Sequence, residues 1–461
     1  MGHPARTRGR HRARVFRGRS RASVSEILRA TIFHAPRNPF RTPGSLVFHE
    51  DGALLLAEGR ISACDDYSVV RKVNPQAPVR DLRGGVLLPG FIDTHVHYPQ
   101  VRILGCLGHG LLEWLQRYTL PEEAKFEDVA YARTIAGEFL RSLVAHGTTT
   151  ALVFGSHFSA ATAELFAAAK VSGLRIASGM VLSDRCLRTE LHQSPENAYR
   201  ESSRLIREFH GVGRLLYAVT PRFALSCSDA MLEVCGALLR ENPGLRFQTH
   251  LNESQAEVKE VAHLFPQDAD YFAVYERHGL ANRHAVFAHG VQTTNAELER
   301  MAACGSSASH CPASNAALGS GIFPMRRHLA RGVHFALGSD VGGGTGFGML
   351  KEGLQAYLAQ RLALDGFPLA AEHLLYLATR AGAGALGLEN EIGDFTPGKA
   401  ADLVYVRAPE GSSLAAVTRN ALSAEHLLAA IFTLADEACI RQVWVQGSPV
   451  KCGLQEELAS A

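Results

Sequence analysis

The residues with the clearest capacity for chemistry are His95 and His97, within Pro89-Gly90-Phe91-Ile92-Asp93-Thr94-His95-Val96-His97-Tyr98-Pro99-Gln100. The apolar run Val86-Leu87-Leu88 enters this stretch through Pro-Gly, and residues 91–97 read as a short strand. Side chains two positions apart on a strand share a face, so both imidazoles aim at one point. Two neutral ring nitrogens at one point suit a transition-metal ion. A pair alone is not a site, and the remaining donors must come from elsewhere. Thr249-His250-Leu251-Asn252-Glu253 ends an apolar run with a histidine and puts a glutamate where a helix would begin. Val286-Phe287-Ala288-His289-Gly290 repeats the device, and Phe335–Asp340 ends on a carboxylate before the glycine turn at 342–344. A single acid in such a place is normally a cap or turn residue. A series of polar strand endings calls for a common explanation.

The elements that must position these residues alternate through the middle of the chain. Strands are expected at 149–154, 176–181, 216–220, 246–250, 285–289, 307–310 and 334–340, after the His-x-His segment. Helical periodicity is expected at 128–146, 159–171, 195–209, 228–240 and 347–364. Eight strands separated by helices describe an α/β fold, a (β/α)8 barrel, whose reactive residues lie at the C-terminal strand ends. His97, Arg222, His250, His289 and Asp340 all fall there. A doubly wound sheet would require a glycine-rich phosphate turn after its first strand, and none is present. Short β segments at 30–33, 45–48, 53–56 and 60–62 return in kind at 401–406 and 440–445. The expected organisation is a small β-sandwich-like domain built from residues 24–85 and 395–461, around a barrel of residues 86–394.

At 461 residues, 46% hydrophobic and 20% charged, the chain has the make-up of a globular protein with a sizeable core. No apolar run reaches the roughly 18 residues of a membrane span. Nine cysteines without a C-x-x-C pair fit reduced thiols and a cytoplasmic location. The net charge of +2 conceals eight arginines and no acid in residues 1–23, so the rest of the chain is acidic on balance. That segment reads as a disordered tail, with nucleic-acid binding as the other reading.

Taken together, these motifs resemble the amidohydrolase superfamily of metal-dependent barrels: His-x-His on the first strand, histidines on the fifth and sixth, Asp on the eighth. The resemblance extends over most of residues 86–400. It includes Leu111-Leu112-Glu113-Trp114-Leu115, Gly147-Thr148-Thr149-Thr150, Thr220-Pro221-Arg222-Phe223, Ser309-His310-Cys311-Pro312-Ala313-Ser314-Asn315 and Gly338-Ser339-Asp340-Val341-Gly342. Gln100 and the Pro-Arg-Phe motif narrow it to the members that deaminate guanine to xanthine and ammonia. The resemblance implies one zinc ion on His95, His97, His250 and Asp340, acidifying a water. Binuclear relatives carry a carboxylated lysine at the fourth strand, where this chain has Val219-Thr220-Pro221-Arg222. It also implies Glu253 as proton shuttle, with Asp340 and His289 assisting. Gln100, Arg222 and Phe223 would hold the purine beside His97, His250, Glu253 and Asp340. A homodimer is implied in the same way. His310 and Cys311 then read as barrel-end structure. The other zinc deaminase architecture needs a Pro-Cys-x-x-Cys site, which this sequence lacks. The alternatives are a deaminase of another aminated heterocycle (cytosine, a triazine or a modified adenosine) and a non-catalytic scaffold on the same barrel.

Overall fold

The computed structural model describes residues 25–450. The arginine-rich segment lies outside the described residues.

Four strands come first: β1 (Glu26–His34), β2 (Val47–Ala57), β3 (Arg60–Asp66) and β4 (Val79–Pro89). The barrel strands come next: β5 (Phe91–His97), β6 (Thr148–Phe154), β7 (Arg175–Gly179), the short β8 (Val181–Leu182), β9 (Leu216–Pro221), β10 (Arg246–Leu251), β11 (Ala285–His289), β12 (Ser307–His310) and β13 (His334–Leu337). Three more close the chain: β14 (Leu403–Val406), β15 (Ile440–Val445) and β16 (Ser448–Pro449).

Strands from both chain ends join in one seven-stranded sheet, in the order β16-β15-β14-β4-β1-β2-β3. The sandwich-like part is therefore a single mixed sheet, and Leu28, Ile32, Leu54, Leu87, Leu403 and Trp444 share a core cluster within it. The segment at 53–56 and the second half of that at 45–48 fall in one continuous strand, β2, which starts at Val47. The β texture expected near the C-terminus is interrupted by two helices, Ser413–Arg419 and Ala424–Leu434, capped by Ser412 and Ser423. The second buries Leu428 and Ile431 at helical spacing and packs on the barrel helices Met349–Leu362 and Ala371–Ala378.

Strand β4 passes through Gly90 directly into β5, so the sheet and the barrel share one stretch of chain. The barrel strands run parallel in the order β5-β6-β7-β9-β10-β11-β12-β13, with β8 beside β9. Helices on the outside bury their inner faces, which accounts for strands such as β6 being buried at every position. The first and last strands meet through side chains as well as backbone. Thr94 Oγ1 donates to the Leu337 carbonyl at 2.8 Å, and the Ser339 N–H donates to Asp93 Oδ1 at 3.0 Å. The Asp340 N–H donates to the His95 carbonyl at 2.8 Å. The seam of the barrel thus lies among the metal-type donors read from the sequence.

Candidate active site

Period-two alternation on β5 places His95 and His97 on one side, and their Nε2 atoms lie 3.3 Å apart. His250 Nε2, from the end of β10, is 3.2 Å from His97 Nε2. Asp340 Oδ1, just past β13, is 3.2 Å from the Nε2 of both His95 and His97. Donors held about 2.0–2.1 Å from a common tetrahedral centre are roughly 3.3–3.4 Å apart, so this spacing matches a four-coordinate zinc site. His289, at the end of β11, groups with His95, His250 and Asp340 within 4.8 Å. Its Nε2 is 3.8 Å from Asp340 Oδ2 and 3.4 Å from Glu253 Oε2. Five donors therefore meet at one end of the barrel. His97 Nε2 makes three contacts at 3.2–3.3 Å within this cluster.

The surroundings orient these groups. His250 Nδ1 donates to the Arg222 carbonyl at 2.6 Å, leaving the Nε2 lone pair for a cation. His289 Nδ1 pairs with Asn315 Oδ1 at 3.0 Å in the same manner. Burial pushes His95 down to about 3 and His250 well below its ordinary value, so both rings are neutral donors. Burial works against ionisation of Asp340, but contacts with His95 and His97 prevail and hold it well below the usual range. Asn252, His289 and Asp340 have left-handed backbones, with φ of 53°, 72° and 49°. Such conformations cost about 1–3 kcal/mol each and collect at functional sites. Here they coincide with the strand ends that carry the site.

Glu253 sits where two helix signals meet. Ser254 and Glu257 form a capping box at the start of Gln255–Leu264, and Glu257 Oε2 also accepts from the Glu253 N–H at 2.9 Å. The Glu253 carboxyl is buried, and burial, followed by the charges of Glu257 and Asp340, raises its pKa well above the ordinary value. Ser320 Oγ donates to its Oε1 at 3.3 Å. A buried acid with a raised pKa beside metal-type donors can take a proton and give it back.

A narrow pocket opens over this cluster, walled by Gln100, Trp114, Arg222, Phe223, Glu253 and Leu318 among others. The ring of Phe223 lies 6.1 Å from that of His250. Gln100 and Arg222 are joined by a residue that sequence reading missed, Glu123. Gln100 Nε2 donates to Glu123 Oε1 at 2.8 Å, and Arg222 Nη1 reaches both carboxylate oxygens at 2.8 and 2.7 Å. Glu123 lies in a run of short helical turns from Leu111 to Glu127, one of them a π turn. No periodic pattern marks it, and the one available signal was an acid pair between apolar neighbours. Asn315 and Ser320 were also missed, since their roles depend on contacts distant in sequence. His310 stacks on Phe323 with ring centres 4.4 Å apart and is not among the grouped donors.

Residues 86–450 match the model of the amidohydrolase family. A protein of Deinococcus radiodurans named probable guanine deaminase is 56% identical over 431 residues, 92% of this chain and 98% of its own. The solved structure of Escherichia coli guanine deaminase superposes with a TM-score of 0.88 at 36% identity, covering 93% of this chain and 99% of that one. The guanine deaminase of C. acetobutylicum, solved with guanine in its active site, gives a TM-score of 0.86 at 25% identity, over 93% of this chain and all of its own, 100%. The chain belongs to the amidohydrolase family, in the company of relatives named guanine deaminase.

Proposed function

We propose that the protein hydrolyses guanine to xanthine and ammonia, using one zinc ion on His95, His97, His250 and Asp340. The observation that carries this reading is the pairing of a four-donor cluster with a cavity wall of Gln100 and Arg222 locked to one buried carboxylate. An ion on these donors would lower the pKa of a water and supply a nucleophile near neutral pH.

The residues of the chain do the rest. Arg222 offers N–H donors to the purine carbonyl, and Gln100 offers its amide oxygen to a ring N–H. Phe223 and Trp114 wall the ring and exclude water. Addition of water to C2 requires a proton on the adjacent ring nitrogen and then another on the amine before the C–N bond breaks. Glu253 takes a proton from the attacking water and gives it to the ring nitrogen, and its buried position favours holding that proton in transit. Asp340, held as a carboxylate, accepts the remaining proton of the water and passes it to the departing amine, which returns both acids to their starting states. His289 beside both orients the water. The same reading carries a homodimer, which light scattering would check.

Among the described residues no helix is long and apolar enough to cross a membrane. The scaffold alternative is disfavoured, because the chain keeps all four of the proposed ligands, His95, His97, His250 and Asp340. The deciding experiment follows guanine loss by ultraviolet absorbance with metal analysis of the same sample. Turnover by zinc-loaded protein, with xanthine as product, supports the reading, and inactivity of fully loaded protein refutes it.

A further inference from the structure

We propose that Glu123 is a positioning residue that makes the cavity select purines with a ring carbonyl over those with an amino group in its place. The inference rests on the guanine reading and extends it to the origin of selectivity.

Glu123 belongs to the helix Leu120–Ala124 and is only 3% exposed. A carboxylate has acceptors only, so every group facing it must donate. Gln100 is therefore obliged to turn Nε2 toward Glu123, which leaves its amide oxygen for a ligand N–H. Gly342, at φ +111°, keeps room beside that oxygen, where a Cβ would come within 2.1 Å. Arg222 spends Nη1 on both Glu123 oxygens, which fixes the guanidinium plane and leaves its other N–H groups for a carbonyl.

Glu123 is itself held from behind. His157 Nε2 is 3.1 Å from Glu123 Oε2, and His157 Nδ1 is 3.1 Å from Ser183 Oγ. All three residues are buried. Burial alone would raise the Glu123 pKa, but Arg222 and His157 outweigh it and keep the group ionised. A rigid donor (Arg222) and a rigid acceptor (Gln100) are the result. A ligand with an amino group in place of the carbonyl would set N–H against N–H at Arg222, an unpaired buried contact.

The test compares guanine with 2,6-diaminopurine, which keeps the reacting C2 amine and replaces the carbonyl by an amine. In Glu123→Gln the facing group can donate or accept, so Gln100 is free to reverse and Arg222 loses its anchor. The preference in kcat/KM for guanine should fall about 10–100-fold, through KM for guanine, with metal content kept. His157→Gln, which leaves Glu123 in place but removes its support, should lower the preference in the same direction by a smaller factor. An unchanged preference in a metal-loaded Glu123→Gln protein overturns the proposal. If that protein does not fold, an unchanged preference in His157→Gln overturns it. Wild-type protein that ignores guanine would instead remove the underlying functional reading.

Discussion

The main-chain carbonyl of Arg222 accepts a hydrogen bond from His250 Nδ1 at 2.6 Å. One residue thereby serves both halves of the site: its backbone sets the tautomer of a donor histidine, and its guanidinium faces the cavity. Because the first role belongs to the main chain, substitution can separate the two.

Arg222→Ala should keep its metal while KM for guanine rises about 10–100-fold, the worth of a charged hydrogen bond. It should also lose about 3–5 kcal/mol of stability, because Glu123 is left as a buried charge without its cation. Metal analysis beside steady-state kinetics checks this. Loss of the metal along with the guanidinium would show that the two roles are not separable.

Glu253→Gln preserves shape and removes the exchangeable proton. Turnover should fall by about 10²–10⁴-fold with the metal retained. Near-normal kcat in a metal-loaded sample would take Glu253 out of the proton path.

Removing the ion should lower the melting temperature as well as the activity, since four inward-facing donors at 3.2–3.3 Å then lack a common partner. An ion at 100 times its dissociation constant contributes about 2.7 kcal/mol. Calorimetry before and after chelation, with zinc restored at the end, reads the effect. A melting temperature indifferent to the ion would count against a cluster built around it.

The barrel seam can be probed without touching a donor. Ser339 Oγ donates to Asp93 Oδ2 at 2.5 Å, and the neighbouring N–H groups of Ser339 and His95 donate to Oδ1. Burial raises the Asp93 pKa to about 7 even with these bonds, so each one matters to the cost of burying it. Ser339→Ala should cost about 1–3 kcal/mol in urea unfolding. No change in the unfolding midpoint would mean that the seam does not depend on this contact.

Acid stability should depend in part on His34, which lies against Phe395 in the small sheet. Burial lowers its pKa from 6.5 to about 4. The unfolded chain thus takes up a proton at this position before the folded one does. The stability His34 contributes is complete above pH 6.5 and is lost as pH falls toward 4, amounting to about 3 kcal/mol. His34→Gln should flatten that part of the stability curve measured by denaturant melts. Parallel curves for the two proteins would exclude His34 as a source of acid lability.

Much of the architecture was legible because the barrel strands are short apolar runs and the helices carry strong end signals. Asp128 and Ser194 cap the helices expected after them, and Gly173 closes another in a left-handed turn. The two helices between Ser412 and Leu434 were missed because the strands on either side suggested a continuous β region. Glu123 was missed for a different reason. A buried acid is informative only through its partners, and those partners, Gln100 and Arg222, lie 23 and 99 residues away.

By itself the sequence determined where the barrel strands lie to within a few residues and, through the two-residue period, that His95 and His97 face one way, although the strand expected to end on Asp340 stops at Leu337. Those properties are local, set by backbone geometry and hydrophobic pattern within a few positions. Only the tertiary structure decided that His97 stands within 3.3 Å of three other donors, that Asn252, His289 and Asp340 turn left-handed at their strand ends, and that one buried carboxylate orients the cavity wall. The physical reason is closure of the barrel, which brings Asp340 against His95 from opposite ends of the barrel sequence and buries the site where charges must find partners.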